Sequence, residues 1–280
     1  MRKLISASAA FACLLMSCGD SKMTNSYAEE EGEEEDSAEV FAEDTIHLFE
    51  DEVPPVAADI LFSDFFFNFI EDPKFQAQRV VQPLAMRDGD EVHYLGKGEW
   101  KAMNHFLDND YYYVIYERES DLELQKDTSL THVAIEWYNL ADGDVEKCNF
   151  DREHGQWRLH DIVRKRIKDT PNAGFLDFYT CFVTDSVFQR KSITEPIKLV
   201  LIADDGESDP EERYVDADEW MEMKQDFPLE DKMLVNMNYG QTCISQNRKT
   251  LMLEGISNGM LTKFRFAKDG DEWRLTEIEY

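Results

Sequence analysis

The side chains best suited to proton chemistry are unevenly spread along this chain. The six histidines are His47, His93, His105, His132, His154 and His160, and none follows His160. Imidazole is the side chain whose charge changes nearest neutral pH, so such a cluster would suit acid–base work or metal ligation. Their spacing gives no support to ligation. No two histidines stand four apart, and no His-Glu-x-x-His pattern is present. Surface or partly buried histidine is the competing reading. Three cysteines, Cys148, Cys181 and Cys243, lie far apart and form no Cys-x-x-Cys pair, so no metal site is expected. Cys181, set among Phe178, Phe182 and Val183, reads as a buried free thiol. The acidic run from Asp204 to Glu212 suggests calcium, but its spacing departs from that of an EF-hand and fits a solvated loop. There is no glycine-rich phosphate loop and no Gly-x-Ser-x-Gly elbow, so no cofactor is expected. Tyr112, Trp137 and Tyr138 would suit the mouth of a ligand pocket. Aromatic strand residues also serve as core and cross-strand pairs.

These residues must be positioned by a fold that is written twice. Phe62 to Leu84 reads FSDFFFNFIEDPKFQAQRVVQPL, and Phe175 to Ile197 reads FLDFYTCFVTDSVFQRKSITEPI. Without a gap, Asp64 falls on Asp177, Phe65 on Phe178, Asp72 on Asp185, Phe75 on Phe188 and Gln76 on Gln189. Further on, Trp100 matches Trp220 and Trp157 matches Trp273. Self-similarity at this length means tandem copies of one unit. Residues kept in both copies, such as Asp64, Asp72, Gln76 and the tryptophans, are more readily explained as caps, buried amides and core aromatics than as a site.

Each copy opens with an amphipathic helix, over Ala57 to Ile70 in the first, followed by a short helix that Asp72-Pro73 starts. Strands are expected over 110–117, 130–140, 145–150 and 156–167, and again over 233–238, 249–255, 260–267 and 272–280. Helices followed by a run of antiparallel strands make an α+β class. Two domains follow, 53–168 and 174–280, with a short joint between them.

The remainder is targeting sequence. Arg2 and Lys3 precede an apolar stretch that ends in Leu15-Met16-Ser17-Cys18. This resembles a lipoprotein signal over residues 1–17, with Cys18 lipidated and serving as a membrane anchor. Residues 18–52 hold the run AEEEGEEEDSAE, too acidic and too poor in apolar residues to fold, and read as a tether. The formal net charge of −30 leaves no basic face for nucleic acid.

The helix laid across a curved sheet resembles the NTF2-like (cystatin-like) fold. The motif Phe69, Asp72, Phe75-Gln76, Pro83-Leu84, repeated as Phe182, Asp185, Phe188-Gln189, Pro196-Ile197, resembles an uncharacterised Bacteroidetes lipoprotein family, DUF4348. That resemblance implies two NTF2-like domains and an outer-membrane lipoprotein facing the periplasm or the cell surface. It also implies association into homodimers through sheet faces. The function expected is non-enzymatic: an envelope protein offering a ligand pocket or an interaction surface to a small ligand or protein partner. The alternative is an isomerase, dehydratase or hydrolase whose first-domain cone pairs Asp64 with His93, His105 or His132.

Overall fold

The computed structural model describes residues 59–103, 105–203 and 208–280, with the backbone alone at His105. The signal, Cys18 and the tether lie outside these residues, as does the start of the acidic run at 204–207. Each repeat opens as two short helices, α1 (Phe62–Glu71) and α2 (Pro73–Arg79) in the first, α3 (Ala173–Thr184) and α4 (Ser186–Lys191) in the second. Asp72 and Asp185 end one helix and cap the next. Asp72 accepts from the Lys74 amide at 2.8 Å, and Asp185 from Val187 and Phe188 at 2.8 and 3.0 Å. Helix α1 begins later than the expected Ala57, because the Asp59 carboxylate is taken by Arg79 and the Trp157 amide instead of capping a helical turn.

Strands follow: β1 (Val80–Asp88), β2 (Glu91–Leu95), β3 (Tyr111–Tyr116), β4 (His132–Asn139), β5 (Asp144–Glu153) and β6 (Gln156–Arg166). The second repeat supplies β7 (Ile193–Leu201), β8 (Glu211–Val215), β9 (Met233–Asn238), β10 (Arg248–Gly255), β11 (Leu261–Asp269) and β12 (Glu272–Glu279), with α5 (Ala217–Met223) after β8. Strands β1, β2, β7 and β8 were not expected; Pro83 and Pro196 stand inside β1 and β7 and mask them.

All twelve described strands join one sheet in the order β2-β1-β6-β5-β4-β9-β3-β10-β11-β12-β7-β8. The boundary between 168 and 174 divides the repeats in sequence, but the sheet runs across it without a break, and the described residues fall in one compact unit. The order reads the same from either end with one exchange. Strand β3 of the first repeat pairs with β10 of the second, and β9 pairs with β4. At the centre β3 and β9 run parallel, in register only at Tyr113 and Asn236. There the Asn236 side chain replaces ladder bonds. Its Oδ1 accepts from the Ile115 amide at 2.9 Å, and its Nδ2 donates to the buried Glu136 carboxylate at 2.8 Å.

This exchange explains why the central strands lack polar–apolar alternation. Tyr112, Val114 and Tyr116 enter the core under α1, while Tyr113 and Ile115, on the other face, enter the core under α3. Helices of one repeat cover one face and helices of the other repeat cover the opposite face, so a central strand is apolar on both sides. The residues expected to be scaffold largely behave as such. Gln76 is fully buried and holds the Met103 amide at 2.8 Å, and Trp157 and Trp220 are among the largest fully buried side chains.

Candidate functional site

The space between helices and sheet, where a fold of this shape would hold a ligand, is filled by rings. In the first repeat Phe62, Phe65, Phe66, Phe69, Phe106, Phe150 and Trp157 are all buried. Phe66 meets Phe106 edge-on at 4.8 Å, and Phe62 meets Trp157 at 5.1 Å. In the second, Phe175, Phe178, Phe182 and Phe266 interlock with centroids 5.3 to 5.8 Å apart.

The sequence-selected residues do not converge. Asp64 is exposed on α1, and its carboxylate pairs with no described histidine. His93 is exposed on β2, 3.5 Å from Glu91. His132 lies across β4 and β5 from Asp151, with Nδ1 2.7 Å from Oδ1. His160 approaches the other oxygen of the same carboxylate at 3.8 Å. This cluster is half-exposed on the outer sheet surface, away from the ring-filled core. Of His105 only the backbone is described, in a short 3-10 turn. Tyr112 and Tyr138 are core residues on opposite faces of the sheet. The Tyr138 hydroxyl donates to Glu136 at 2.8 Å, and burial followed by that carboxylate holds its pKa well above the ordinary value. Trp137 is 7% exposed and borders an outer cleft. Cys181, expected to be buried, is exposed: with Phe175, Phe178, Tyr179 and Phe182 turned inward, position 181 falls on the outer side of α3. Cys148 is fully buried, and burial pushes its thiol pKa up. All three described cysteines are free.

Two buried ion pairs were not anticipated. Arg79 and Asp59 form a two-pronged pair at 3.0 and 2.9 Å, and both also bond the Trp157 backbone. Across the junction of the repeats, Lys249 on β10 and Glu117 just after β3 pair at 3.1 Å with side chains 1% and 5% exposed. Burial works to raise the Glu117 carboxyl, but the amides of Ser245 and Gln246 together with Lys249 outweigh it and bring it down to about 2. The signal for the first pair was available in the sequence. Aligned by the repeat, Arg79 falls on Ser192 and Asp59 on Asn172, so both partners change together.

Concave surface lies outside the cores. A cleft of about 800 Å³ in the first repeat is lined by Asp88, Trp137, Asp144, Glu146, Arg164 and Arg166 among others. Its arginines are already matched, Arg164 to Glu146 at 2.8 Å and Arg166 to Asp144 at 2.6 Å. A cleft of about 970 Å³ in the second repeat lies between α4 and the β11–β12 turn, walled by Phe178, Phe188, Ser192 and Trp273. The first cleft presents neutralised charge over one indole, whereas the second is walled by one half-open ring, Phe188 at 36% exposure.

The architecture is α+β and shares the fold of NTF2-like proteins. The crystal structure of an NTF2-like protein from Bacteroides fragilis NCTC 9343 is similar with a TM-score of 0.73 and 34% sequence identity, covering 79% of this chain and 96% of that one. No curated protein matches the chain. Residues 42–280 match the family described as a domain of unknown function, DUF4348, and the chain belongs to that family.

Proposed function

We propose that this is a non-enzymatic binding protein of the cell envelope, held by lipid on Cys18 and presenting the outer clefts of its two interlaced repeats to a partner. The observation that carries the reading is the closure of both helix–sheet spaces by packed rings, which leaves no room there for a substrate beside an acid–base pair. The exposed position of Asp64, with no described histidine beside it, points the same way. The lipobox-like end of the apolar leader supports anchoring, and the acidic stretch after it supports display on a tether in the periplasm or at the cell surface. Because the central strands are covered on both faces, pairing between copies of the chain is left to the outer strands. The net charge of −30 disfavours nucleic acid as the partner.

Two measurements test this. Cells fed an alkyne fatty acid should label the full chain but not Cys18→Ser, which should leave the membrane fraction. Purified protein offered panels of isomerase, dehydratase and hydrolase substrates should show no turnover above buffer. Turnover that disappears in Asp64→Asn or His132→Ala would overturn the non-enzymatic reading.

A further inference from the structure

Among the differences between the repeats, one is buried at the end of the second helix. In the first, Arg79 ends α2, and its guanidinium lies 4.8 Å from the centre of the Phe75 ring and 5.9 Å from that of Phe65. Asp59 clasps it with both oxygens, and Trp157 closes the back with its carbonyl at 3.2 Å. The second repeat keeps the walls. Phe178 and Phe188 stand with centroids 5.9 Å apart, as Phe65 and Phe75 do, and Trp273 replaces Trp157. What it lacks is the arginine and its carboxylate, because Ser192 stands where Arg79 would be and Asn172 where Asp59 would be; its cation at these rings is instead Lys268, 5.3 Å from the centre of Trp273. Losing both together avoids stranding a buried charge, so the second repeat tolerates the change. The amide of Asn172 is occupied, its Oδ1 accepting from Lys249 at 3.0 Å.

The consequence is an opening. Phe188 is 36% exposed where Phe75 is 6%, and Trp273 is 8% exposed where Trp157 is 1%. The 970 Å³ cleft opens at this place, with Ser192 in its lining. At its rim Arg190 is matched by Asp218, and Arg274 by Asp269 and Glu272. Among the described residues Glu195 and Asp271 form no ion pair, and of the cations lining the cleft Lys191 alone is likewise unmatched there, so the balance is negative.

We propose that this cleft receives an arginine side chain of a partner protein, lying over Phe178 and Phe188 as Arg79 lies over Phe65 and Phe75. A planar guanidinium is weakly hydrated and stacks on aromatic faces, which makes these walls a better receptor for it than for an anion or a neutral chain. The charge of −30 raises the local concentration of such a partner. The cleft also has room for the residues flanking the arginine. This inference rests on the binding role proposed above and names the chemistry of its partner.

The test titrates the full chain, in detergent, with a short glycine-flanked peptide carrying one arginine, and with the same peptide carrying citrulline, which keeps the shape and drops the charge. Calorimetry should give one site, with the arginine peptide bound about tenfold more tightly than the citrulline peptide. Ser192→Arg refills the cleft from within and should weaken binding at least tenfold. Phe188→Ala removes a wall at an exposed position and should do the same, so the proposal does not depend on one variant folding. Equal affinity for both peptides, binding unchanged in these variants, or no arginine binding at millimolar peptide by folded protein would each overturn it. None of those results touches lipidation or turnover, so failure here is distinct from failure of the broader reading.

Discussion

Removing the guanidinium of Arg79 alone should destabilise the first repeat far more than removing it together with Asp59. The two side chains are 4% and 3% exposed. Their two short contacts are joined by the bond from the Trp157 amide to Asp59 at 3.0 Å. Arg79→Ser leaves a buried carboxylate with one amide for company, which costs about 3–5 kcal/mol. Asp59→Asn leaves a buried guanidinium and costs a similar amount. The double variant Asp59→Asn/Arg79→Ser copies what the second repeat carries in Asn172 and Ser192. It strands no charge, and it loses mainly ring stacking, about 1–2 kcal/mol, with some packing. The singles would sum to about 6–10 kcal/mol, much of a typical domain's whole stability. The double should therefore be more stable than either single, with a coupling of several kcal/mol. Urea unfolding of the full chain, followed by both tryptophan fluorescence and far-ultraviolet circular dichroism, measures all four corners of the cycle. Additivity within about 0.5 kcal/mol would refute the argument that the pair acts as a unit. The same double variant should also gain a second arginine-peptide site, because it strips the cation from over Phe65 and Phe75.

Three further outcomes follow. Glu117, held at about 2 in the fold against an ordinary value of 4.5, contributes stability that is fully present above pH 4.5 and is lost as pH falls towards 2. That contribution is about 3 kcal/mol, and Glu117→Gln should flatten the acid limb of the urea midpoint between these pH values; parallel acid limbs would dismiss the assignment. Maleimide should label Cys181 quickly and leave Cys148 unlabelled until urea unfolds the chain, as read by peptide mass; early labelling of Cys148 would contradict its burial. Residues 53–172 expressed alone should give a poorly dispersed NMR spectrum, because β4 loses β9 and β3 loses β10, whereas co-expression with 173–280 should restore a complex; a cooperative melt of the isolated half would show that the exchange is dispensable.

Much of this architecture was legible because a duplicated sequence reports twice. Asp72 and Asp185 announce a helix break by side-chain chemistry alone, and Phe65, Phe69 and Trp157 announce the core through spacing that recurs. The exchange of β3 and β9 was not read, although a trace of it is visible. Tyr111 to Tyr116 is apolar at every position, a pattern that a strand with one wet face does not show. Strands β1 and β7 were hidden by their prolines. The burial of Lys249 against Glu117 was beyond reach, since a lone lysine at the head of a strand reads as solvated. The histidine-based site was suggested by residue type, but residue type does not say which face of a sheet a side chain occupies. His132 and His160 came together on an outer surface because β4, β5 and β6 are neighbours, and Asp64 stayed apart on the solvent side of α1.

Duplication also supplies a reason for the contrast between the repeats. A single unit that gave up its buried arginine and carboxylate would lose a clamp joining the entry to its first helix, the end of its second helix, and its last strand. Here the sheet is shared, so the second repeat draws order from β3 of the first, pairing against β10 along its whole length. The first repeat keeps the clamp, and the second is free to uncover Phe188. Stability in one copy and an open aromatic cleft in the other are then two results of the same exchange. The cleft should lose its shape when the exchange is undone, even with every residue lining it intact.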